Sequence, residues 1–569
     1  MKNYQKYSTP PPIDLRDRQW PDRQIEEAPI WCSVDLRDGN QALERPMTLE
    51  QKIYYYQHLV DIGFKEIEIG FPAASDTEFE FTRYLIDNNL IPDDVTIQVL
   101  TQARSELIDR TMEAVRGAPS VILHLYNSTS TLQRDIVFRM NEDEVRDLAV
   151  RGAKLLVEVV SQDTSTTKYR YEYSPESFSG TEPDYAVSVC DAVVETFKPH
   201  LKDGEKVIIN LPNTVEMGGA NYYADQVEYF CRHTRYLDDI IVSLHPHNDR
   251  GQAVAASELG LLAGGQRVEG TLFGNGERTG NADLLTMAMN LFSHGIDPQL
   301  DFSNINESVK VYEATTGLLV HPRHPYAGDL VYTAFSGSHQ DAIRKGMLAR
   351  EVEEAKSWAI PYLPIDPMDV GRDYAPIIRI NSQSGKGGVA WIMEQYYSYQ
   401  LPRGFQQVFS ADVKRESERL DKDLQPDEIL NLFHKLYVDL QEPLRLTAFN
   451  EHTISEKSVA IEAEIDWHDS SHTISSKGSG VLEALNNALN EFLSMNFEIL
   501  EYQQHALTQS SASRALSYVT MRDPVGEAGV IYQGAGTSSN ITKSSLRALV
   551  SAYNRAYKAK HGQLLSSDG

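Results

Sequence analysis

Short β-rich runs alternate with longer stretches of helical apolar spacing from residue 30 to about residue 300. This alternation predicts a parallel sheet whose strands are joined by crossover helices. We count eight rounds, and eight strand–helix units predict a closed (β/α)8 TIM barrel, an α/β fold. The predicted strands span residues 30–36, 64–69, 95–101, 120–126, 168–173, 206–211, 240–244 and 267–273.

The fifth strand has a competitor in the run KLLVEVV at residues 154–160. This run can form a strand or the end of a long helix that begins near residue 142. We favour the helix, because a strand over residues 168–173 then delivers the polar residues that follow it to the same end of the barrel as the other strands.

Three further regions surround the predicted barrel, which spans residues 30–310. Residues 1–29 form an N-terminal extension. Residues 311–430 are mostly helical in pattern and contain PYLPIDP, which cannot be helical throughout, so linker subdomains are predicted. Residues 431–562 form a predicted C-terminal domain, and residues 563–569 form a tail that we expect to be disordered.

One sequence pattern occurs twice in the C-terminal domain: β-like runs are followed by a Gly-x-Gly and then by an amphipathic helix. The two glycine pairs are Gly478 with Gly480 and Gly534 with Gly536. This repetition predicts duplicated βββα units, an α+β architecture, with a small-residue turn at each helix start. A pseudo-symmetric ligand-binding module is therefore expected.

Composition excludes several classes of partner. Lys plus Arg number 53 against 81 Asp plus Glu, and a net charge of -28 disfavours nucleic acid and anionic membranes. No apolar run approaches the roughly 18 residues of a membrane span, and the N-terminus lacks a signal-peptide pattern. The three widely spaced cysteines indicate neither a disulfide framework nor a thiolate zinc site. We expect a soluble, cytoplasmic protein.

Polar residues cluster after the predicted strands, where TIM barrels carry their chemistry. His245 and His247 follow strand seven at i and i+2, so both imidazoles can reach one ion. Asp38 after strand one and Asn281 beyond strand eight add oxygen ligands, and such a set suits Mg²⁺, Mn²⁺ or Zn²⁺. The alternative is that the histidines are ordinary hydrogen-bonded residues at a strand end.

Other strand-end residues also have two interpretations each. Arg37 is either a salt-bridge partner or the cation that stabilises a developing oxyanion. Glu176 is either a general base or a solvated turn residue. The glycine-rich segment at Gly274, Asn275, Gly276 and Glu277 either cradles a phosphate or pantetheine arm or is only a tight turn.

Several motifs together resemble one enzyme family. They are DLRDGNQAL, GFKEIEIGFPAAS, HLYNSTS, EYSPESFSGTE, NLPNTVEM, HPHNDRG, GTLFGNGERTGN, FSGSHQDAI and NSQSGKGGVA. HPHNDRG with GNGERTGN is similar to the Claisen-condensing superfamily, which includes homocitrate and citramalate synthases and hydroxymethylglutaryl-CoA lyases. The complete set resembles the long form of the 2-isopropylmalate synthases and covers nearly the whole chain.

The resemblance implies condensation of acetyl-CoA with 2-oxoisovalerate, followed by hydrolysis of the thioester. It assigns the divalent metal, Mg²⁺ ahead of Mn²⁺ or Zn²⁺, to Asp38, His245, His247 and Asn281, with K⁺ as an activating ion. Further residues carried over are Arg37 at the developing alkoxide, His124, Ser174 and Thr214 in the oxo-acid pocket, and Glu176, His339 and Tyr362 as the acid/base set. Which of Glu176 and His339 takes the methyl proton stays open.

The family's assembly and regulation are implied as well. His339 and Tyr362 lie outside the predicted barrel, and family members deliver them from the partner subunit, so a homodimer with shared active sites is implied. The C-terminal domain resembles a leucine-binding regulatory domain with the inhibitor at its Gly-x-Gly segments. The alternatives are a homocitrate or citramalate synthase, a metal-dependent barrel hydrolase and a non-catalytic amino-acid sensor.

Overall fold

The computed structural model describes residues 3–334, 337–353, 357–372, 386–420, 422, 424–468, 470–507, 514–524 and 529–561. Eight strands follow one another around a closed sheet, and the first strand pairs in parallel with the eighth. The predicted closed α/β barrel is therefore confirmed.

The barrel strands lie close to the predicted positions. They are β1 (Ile30–Ser33), β2 (Glu66–Gly70), β3 (Thr96–Gln102), β4 (Ser120–Ser128), β5 (Lys168–Glu176), β6 (Val207–Asn213), β7 (Ile240–Pro246) and β8 (Arg267–Gly270). The helices that follow are α1 (Leu49–Ile62), α2 (Asp76–Asp87), α3 (Ser105–Val115), α4 (Glu142–Gln162), α5 (Pro183–Phe197), α6 (Ala220–His233), α7 (Ala253–Leu262), α8 (Leu284–Ser293) and α9 (Ile305–Thr316).

Two predicted strands were too long. The strand predicted to run to residue 36 ends at Ser33, because three backbone amides, those of residues 37 to 39, turn back to the carbonyl of Val34. The strand predicted to run to residue 273 ends at Gly270, and Phe273 has a left-handed backbone with φ of 59°. The polar residues after these strands therefore lie on tight turns rather than on extended chain.

The disputed run at residues 154–160 is helical, as predicted, within α4. A capping box begins this helix: Asn141 accepts from the amide of Glu144, whose side chain accepts from the amide of Asn141. The strand therefore starts at Lys168 and carries its polar residues to the same end of the barrel as its neighbours.

The chain divides into two compact units. The first comprises Met1–Val331 with Ile365–Arg372, and the second comprises Tyr332–Pro364 with Asp373–Gly569. The second contains α10 (Gly337–Glu353), α11 (Lys386–Tyr397), α12 (Arg403–Leu420), α13 (Pro426–Tyr437), α14 (Val481–Leu493) and α15 (Ile541–Lys560). Domain boundaries near residues 310 and 430 remain predictions, and the tail at 563–569 and residues 381–385 of NSQSGKGGVA lie outside the described residues.

The C-terminal half of the second unit repeats one pattern, as predicted. Its strands are β9 (Leu444–Ser455), β10 (Ser458–Trp467), β11 (Ser470–Gly478), β12 (Glu498–Ala506), β13 (Ala515–Asp523) and β14 (Val530–Ser538). They form two three-stranded antiparallel sheets, β11-β10-β9 and β12-β13-β14, each followed by one helix. Apolar residues from both repeats form a common core.

The second Gly-x-Gly is not the predicted turn. Gly534 and Gly536 lie inside β14, and a Cβ on Gly536 would come within 2.3 Å of the carbonyl oxygen of Ser544 on α15. These glycines let the helix pack closely on the strand. The first pair is nearer to the prediction, since Gly480 is the N-cap of α14. Within the described residues, no helix is long and apolar enough to span a bilayer.

Candidate active site

Polar side chains from most strands converge on one cavity at the carboxyl ends of the barrel strands. Its volume is about 240 Å³. The cavity is lined by Arg37, Asp38, Gln41, Leu100, His124, Tyr126, Ser174, Glu176, Asn210, Pro212, Thr214, His245, His247, Glu277 and Arg278. Nine of the thirteen barrel residues singled out in the sequence therefore line one cavity, and the other four are Gly274, Asn275, Gly276 and Asn281.

Asp38, His245 and His247 form a compact buried cluster. Oδ2 of Asp38 lies 3.7 Å from Nε2 of His245 and 3.9 Å from Nε2 of His247. Ligand atoms that share one ion at about 2.1 Å are separated by roughly 3 to 4 Å. The spacing is too long for hydrogen bonds but suits a shared cation.

Asn281 completes this group. Its Nδ2 donates to Oδ2 of Asp38 at 2.6 Å, and its Oδ1 is buried without a hydrogen-bond partner among the described residues. Nδ1 of His247 is likewise buried and unpartnered. Buried polar atoms are almost always satisfied, so an orphan oxygen beside a carboxylate and two imidazoles fits a divalent cation.

A buried glutamate orients His245. Oε2 of Glu269 lies 2.7 Å from Nδ1 of His245, which leaves Nε2 facing Asp38. A carboxylate behind a histidine fixes the tautomer that presents the other nitrogen to a metal. Burial disfavours the imidazolium, but the hydrogen bond to Glu269 and the negative charges of Glu269 and Asp38 outweigh burial and raise the pKa of His245 to about 9.

We expect metal binding to release about one proton between pH 6 and 8. His245 is protonated below about pH 9 in the metal-free protein, so a metal must displace that proton. His247 contributes none, because burial and the neighbouring His245 lower its pKa to about 4. Metal affinity should therefore rise roughly tenfold per pH unit up to about pH 9. Titration calorimetry in buffers of different ionisation enthalpy measures the number of protons released. A release of no protons would contradict the assignment of His245 as a metal ligand.

Arg37 forms the ion pairs of the salt-bridge interpretation, and its role at a developing oxyanion stays a prediction. Its Nη1 lies 2.9 Å from Oδ1 of Asp38, and its Nε donates to Glu68. The side chain is 11% exposed and lines the cavity. Two ion pairs therefore hold a guanidinium at the cavity wall, where it can face a developing negative charge.

His124 and Ser174 form one hydrogen-bonded string with Glu68. Nδ1 of His124 lies 2.8 Å from Oε1 of Glu68, and its Nε2 lies 2.7 Å from Oγ of Ser174. Asn210 donates to the same hydroxyl at 3.0 Å. Thr214 also lines the cavity, and its hydroxyl accepts from the amide of Ser177 at 2.9 Å. The string connects to Arg37 through Glu68.

Glu176 is not a turn residue, because it ends β5. The hydroxyl of Ser128 donates to its carboxylate. The carboxylate lines the cavity, and a base must lie within reach of the reacting group.

The glycine-rich loop shapes the neighbourhood of Asn281. A Cβ on Gly276, whose φ is 157°, would lie 2.1 Å from Nδ2 of Asn281. Asn275 donates to the carbonyl of Gly39 at 3.0 Å, and Gly274 has a φ of 71°. Glycine is therefore required at position 276, where the backbone approaches the side chain of Asn281. Of the four residues of this segment singled out in the sequence, Glu277 lines the cavity.

His339 and Tyr362 come together in the second unit. Their rings stack with centroids 3.9 Å apart. The loop before Leu363 approaches α10 closely, since a Cβ on Gly346 would lie 2.8 Å from Pro361. Tyr362 is 62% exposed and has a left-handed backbone with φ of 66°, a strained state for a tyrosine. The pair predicted from SGSHQDAI and PYLPIDP therefore exists as a structural unit.

A charged network that the sequence patterns did not predict lies inside the barrel. Arg267 is fully buried and pairs with Glu66 at 2.6 Å and Glu269 at 2.8 Å. Charged residues at i and i+2 in strands that must be buried on both faces, as in EIEIG and RVEG, are the pattern that could have revealed it. The network supports the cavity residues from below, through Glu68 and Glu269.

Glu172 is the member of this network that lacks hydrogen bonds. Both carboxylate oxygens are buried without a hydrogen-bond partner among the described residues, and the nearest basic nitrogens are Nε2 of His124 at 3.5 Å and Nη2 of Arg267 at 3.6 Å. Burial, reinforced by the nearby carboxylate of Glu269, raises the pKa of Glu172 well above its usual range. The raised pKa favours the neutral carboxyl form of Glu172 in this buried position.

We expect Glu172→Gln to stabilise the protein at neutral and alkaline pH. A carboxyl whose pKa is raised on folding costs stability as the pH rises above its unfolded value, 4.5, and the neutral amide removes that cost. Melting temperatures of variant and wild type should converge near pH 4 and diverge above it. Glu269→Gln is the control: it breaks pairs with Arg267 and His245 and should cost about 3 to 5 kcal/mol. Equal losses of thermal stability in the Glu172→Gln and Glu269→Gln variants would contradict a raised pKa of Glu172.

Comparisons with known proteins cover almost the entire chain. The family model described as HMGL-like matches residues 28–311, one described as "Alpha-isopropylmalate synthase, post-catalytic domain-like" matches 329–394, and one described as "LeuA allosteric (dimerisation) domain" matches 423–557. Three curated relatives bear the name 2-isopropylmalate synthase. The protein of Acetoanaerobium sticklandii is 53% identical over 98% of both chains, that of Clostridium acetobutylicum 51% identical over 97% of this chain and 99% of its own, and that of Desulfitobacterium hafniense 49% identical over 98% of both.

Proposed function

The chain belongs to the 2-isopropylmalate synthase family, and from this premise we propose that it condenses acetyl-CoA with 2-oxoisovalerate to give 2-isopropylmalate and CoA. The cavity at the barrel mouth supports the proposal, because it holds a candidate metal cluster, an arginine and a carboxylate within one enclosure. The reaction belongs to leucine biosynthesis.

Asp38, His245, His247 and Asn281 would hold the divalent metal, with Mg²⁺ as the first candidate. Asp38 stays ionised for this role: although burial opposes ionisation, the positive charges of Arg37 and His245 hold the pKa of Asp38 well below its usual range. When bound, the ion supplies Lewis-acid polarisation of the keto group. The orphaned Oδ1 of Asn281 supports its place among the ligands, since a side-chain amide rotates easily to present its oxygen.

The polar wall of the cavity would bind the oxo acid. Ser174 and Thr214 offer hydroxyls, and His124 fixes the first of them through the 2.7 Å contact. Arg37 neutralises the oxygen that gains charge when the new carbon–carbon bond forms. Its two ion pairs keep it in place before the reaction, so no reorganisation is needed at the transition state.

Proton transfer falls to Glu176, His339 and Tyr362. The methyl group of acetyl-CoA must lose a proton before it attacks the keto carbon, and water must later cleave the thioester. Glu176 lies in the cavity, whereas His339 and Tyr362 belong to the second unit. We propose that a partner subunit supplies the stacked pair, so that the active enzyme is a homodimer with shared sites. A family model described as a dimerisation domain supports the dimer.

Measuring CoA release with a panel of 2-oxo acids tests the assignment. The branched oxo acid 2-oxoisovalerate should give the highest kcat/KM. A preference for pyruvate or 2-oxoglutarate would instead favour a citramalate or homocitrate synthase. K⁺ belongs in the assay as an expected activating ion.

Feedback inhibition by leucine is the remaining part of the proposal. The duplicated βββα units of the second unit support a separate ligand module. A bulky residue at Gly536 is not a mild test of leucine binding, because it would collide with the backbone of α15. Gly480 is the better position, since a Cβ there meets no atom within 4 Å.

A further inference from the structure

A second cavity lies in the second unit, between α12, α13, β14 and α15. Its volume is about 380 Å³, which is within the range of small-molecule sites. We call it the basic pocket. Its lining residues are Asp412, Arg415, Glu416, Arg419, Leu432, Lys435, Leu436, Leu440, Ile531, Tyr532, Arg555, Lys558 and Ala559. None of these residues belongs to the unit that contains the catalytic cavity.

The charge of the basic pocket is opposite to that of the whole chain. Five basic and two acidic residues line it, whereas the chain carries a net charge of -28. The acidic residues are already engaged: Glu416 accepts from Arg419 at 2.8 and 2.9 Å, and Asp412 pairs with Arg415 at 3.3 Å. The three remaining cations therefore determine the charge of the ligand that the basic pocket favours.

Those three cations are Lys435, Arg555 and Lys558. Arg555 is held in place, because its guanidinium lies 3.6 Å over the ring of Tyr437 and Nη1 donates to the carbonyl of Leu436 at 3.1 Å. A guanidinium has five donors, and this bond uses one. Neither lysine ammonium has an ion-pair partner within the described residues. Five basic and two acidic residues leave the basic pocket with a positive net charge, which favours an anion.

The remaining wall of the basic pocket is apolar. Ile531 is 52% exposed and lies on β14, the outer strand of its sheet. Tyr532 is half-buried beside it, and Leu432 and Leu436 form the opposite side. Apolar groups in a cavity that is also lined by basic side chains match a ligand that has an organic part and an anionic part. Inorganic anions alone would leave this wall uncovered.

We infer that the basic pocket binds a phosphorylated small organic molecule, with the phosphate on Lys435, Arg555 and Lys558 and the organic part against Ile531 and Tyr532. Three cations that line one cavity exceed what one carboxylate needs, whereas a phosphate offers about two charges and several acceptor oxygens. A zwitterionic amino acid has no net charge for them to neutralise. The lining of the basic pocket includes none of the four glycines expected at the leucine site and shares no residue with the catalytic cavity.

Binding of ADP and of pyrophosphate to the full-length enzyme, measured by titration calorimetry, tests the inference. The variant Lys435→Ala/Lys558→Ala removes two of the three cations and should weaken both probes by at least about tenfold. The variant Lys414→Ala/Lys457→Ala removes the same charge from exposed positions of the same unit and should bind like wild type. Turnover without the probes should be unchanged in both variants, which shows that they fold.

A third variant separates the two parts of the ligand. Tyr532→Ala should weaken ADP more than pyrophosphate, because it alters only the apolar wall. Failure of both probes to bind at about millimolar concentration would overturn the inference. Binding that is unchanged in Lys435→Ala/Lys558→Ala would overturn it too, because the probes would then occupy another site.

Discussion

Asp38→Ala is expected to abolish metal binding and to lower turnover by about 10³-fold or more. The carboxylate lies within 3.9 Å of both histidine Nε2 atoms and is the one anionic member of the candidate ligand set. Lewis-acid polarisation is worth several kcal/mol, and each 1.36 kcal/mol is about tenfold in rate. Metal content by mass spectrometry and CoA release measure the two losses in one preparation.

Controls separate this effect from misfolding. Asp93→Ala removes a carboxylate at an exposed position of the same barrel and should keep full activity. Asp38→Asn keeps the size and some hydrogen bonding of the side chain, yet should also lose metal affinity. Circular dichroism should show an intact fold in all three variants. An Asp38→Ala enzyme that retains metal and full turnover would disprove the site.

His339→Ala is expected to lower kcat by about 10² to 10⁴-fold while the KM for the oxo acid changes little. Proton transfer affects the rate of a chemical step, whereas the oxo acid is held by the groups of the barrel cavity. The stacking of His339 on Tyr362 at 3.9 Å predicts that Tyr362→Ala also impairs turnover by disturbing the imidazole. His452→Ala, an exposed histidine in the same unit, is the control.

Mixed dimers test whether the sites are shared. A heterodimer of His339→Ala and Asp38→Ala chains has one site with both an intact barrel and an intact histidine if the partner supplies His339. It has none if each chain serves its own barrel. Recovery of activity in purified heterodimers supports sharing, and complete inactivity of verified heterodimers would refute it.

Much of the fold is local in origin. The alternation of β-rich and amphipathic segments predicted all eight barrel strands, because each segment records which of its faces is buried. The choice of a helix for residues 154–160 was correct for the same reason. The candidate site could also be predicted from the sequence, since residues at the ends of parallel barrel strands must converge, as Asp38 and His247 do.

Strand ends were harder to predict from the sequence, because they depend on single hydrogen bonds. The carbonyl oxygen of Val34 accepts hydrogen bonds from the amides of residues 37 to 39 just after β1. The pattern of apolar residues does not predict these bonds. Likewise, Gly536 looked like part of a turn before a helix but lies within a strand, where it admits the backbone of α15. A small residue in a sequence does not reveal what approaches it.

The sequence by itself determined the barrel, the duplicated C-terminal units and the identity of the residues at the barrel mouth, because each follows from short-range periodicity and from strand order. Only the tertiary structure decided how those residues are held. The buried carboxylates come from strands far apart in the chain: Glu269 behind His245, Glu68 between Arg37 and His124, and Glu172, which lacks hydrogen bonds among the described residues. Barrel closure brings them within hydrogen-bonding distance, and their protonation follows from burial among one another, which no local pattern encodes.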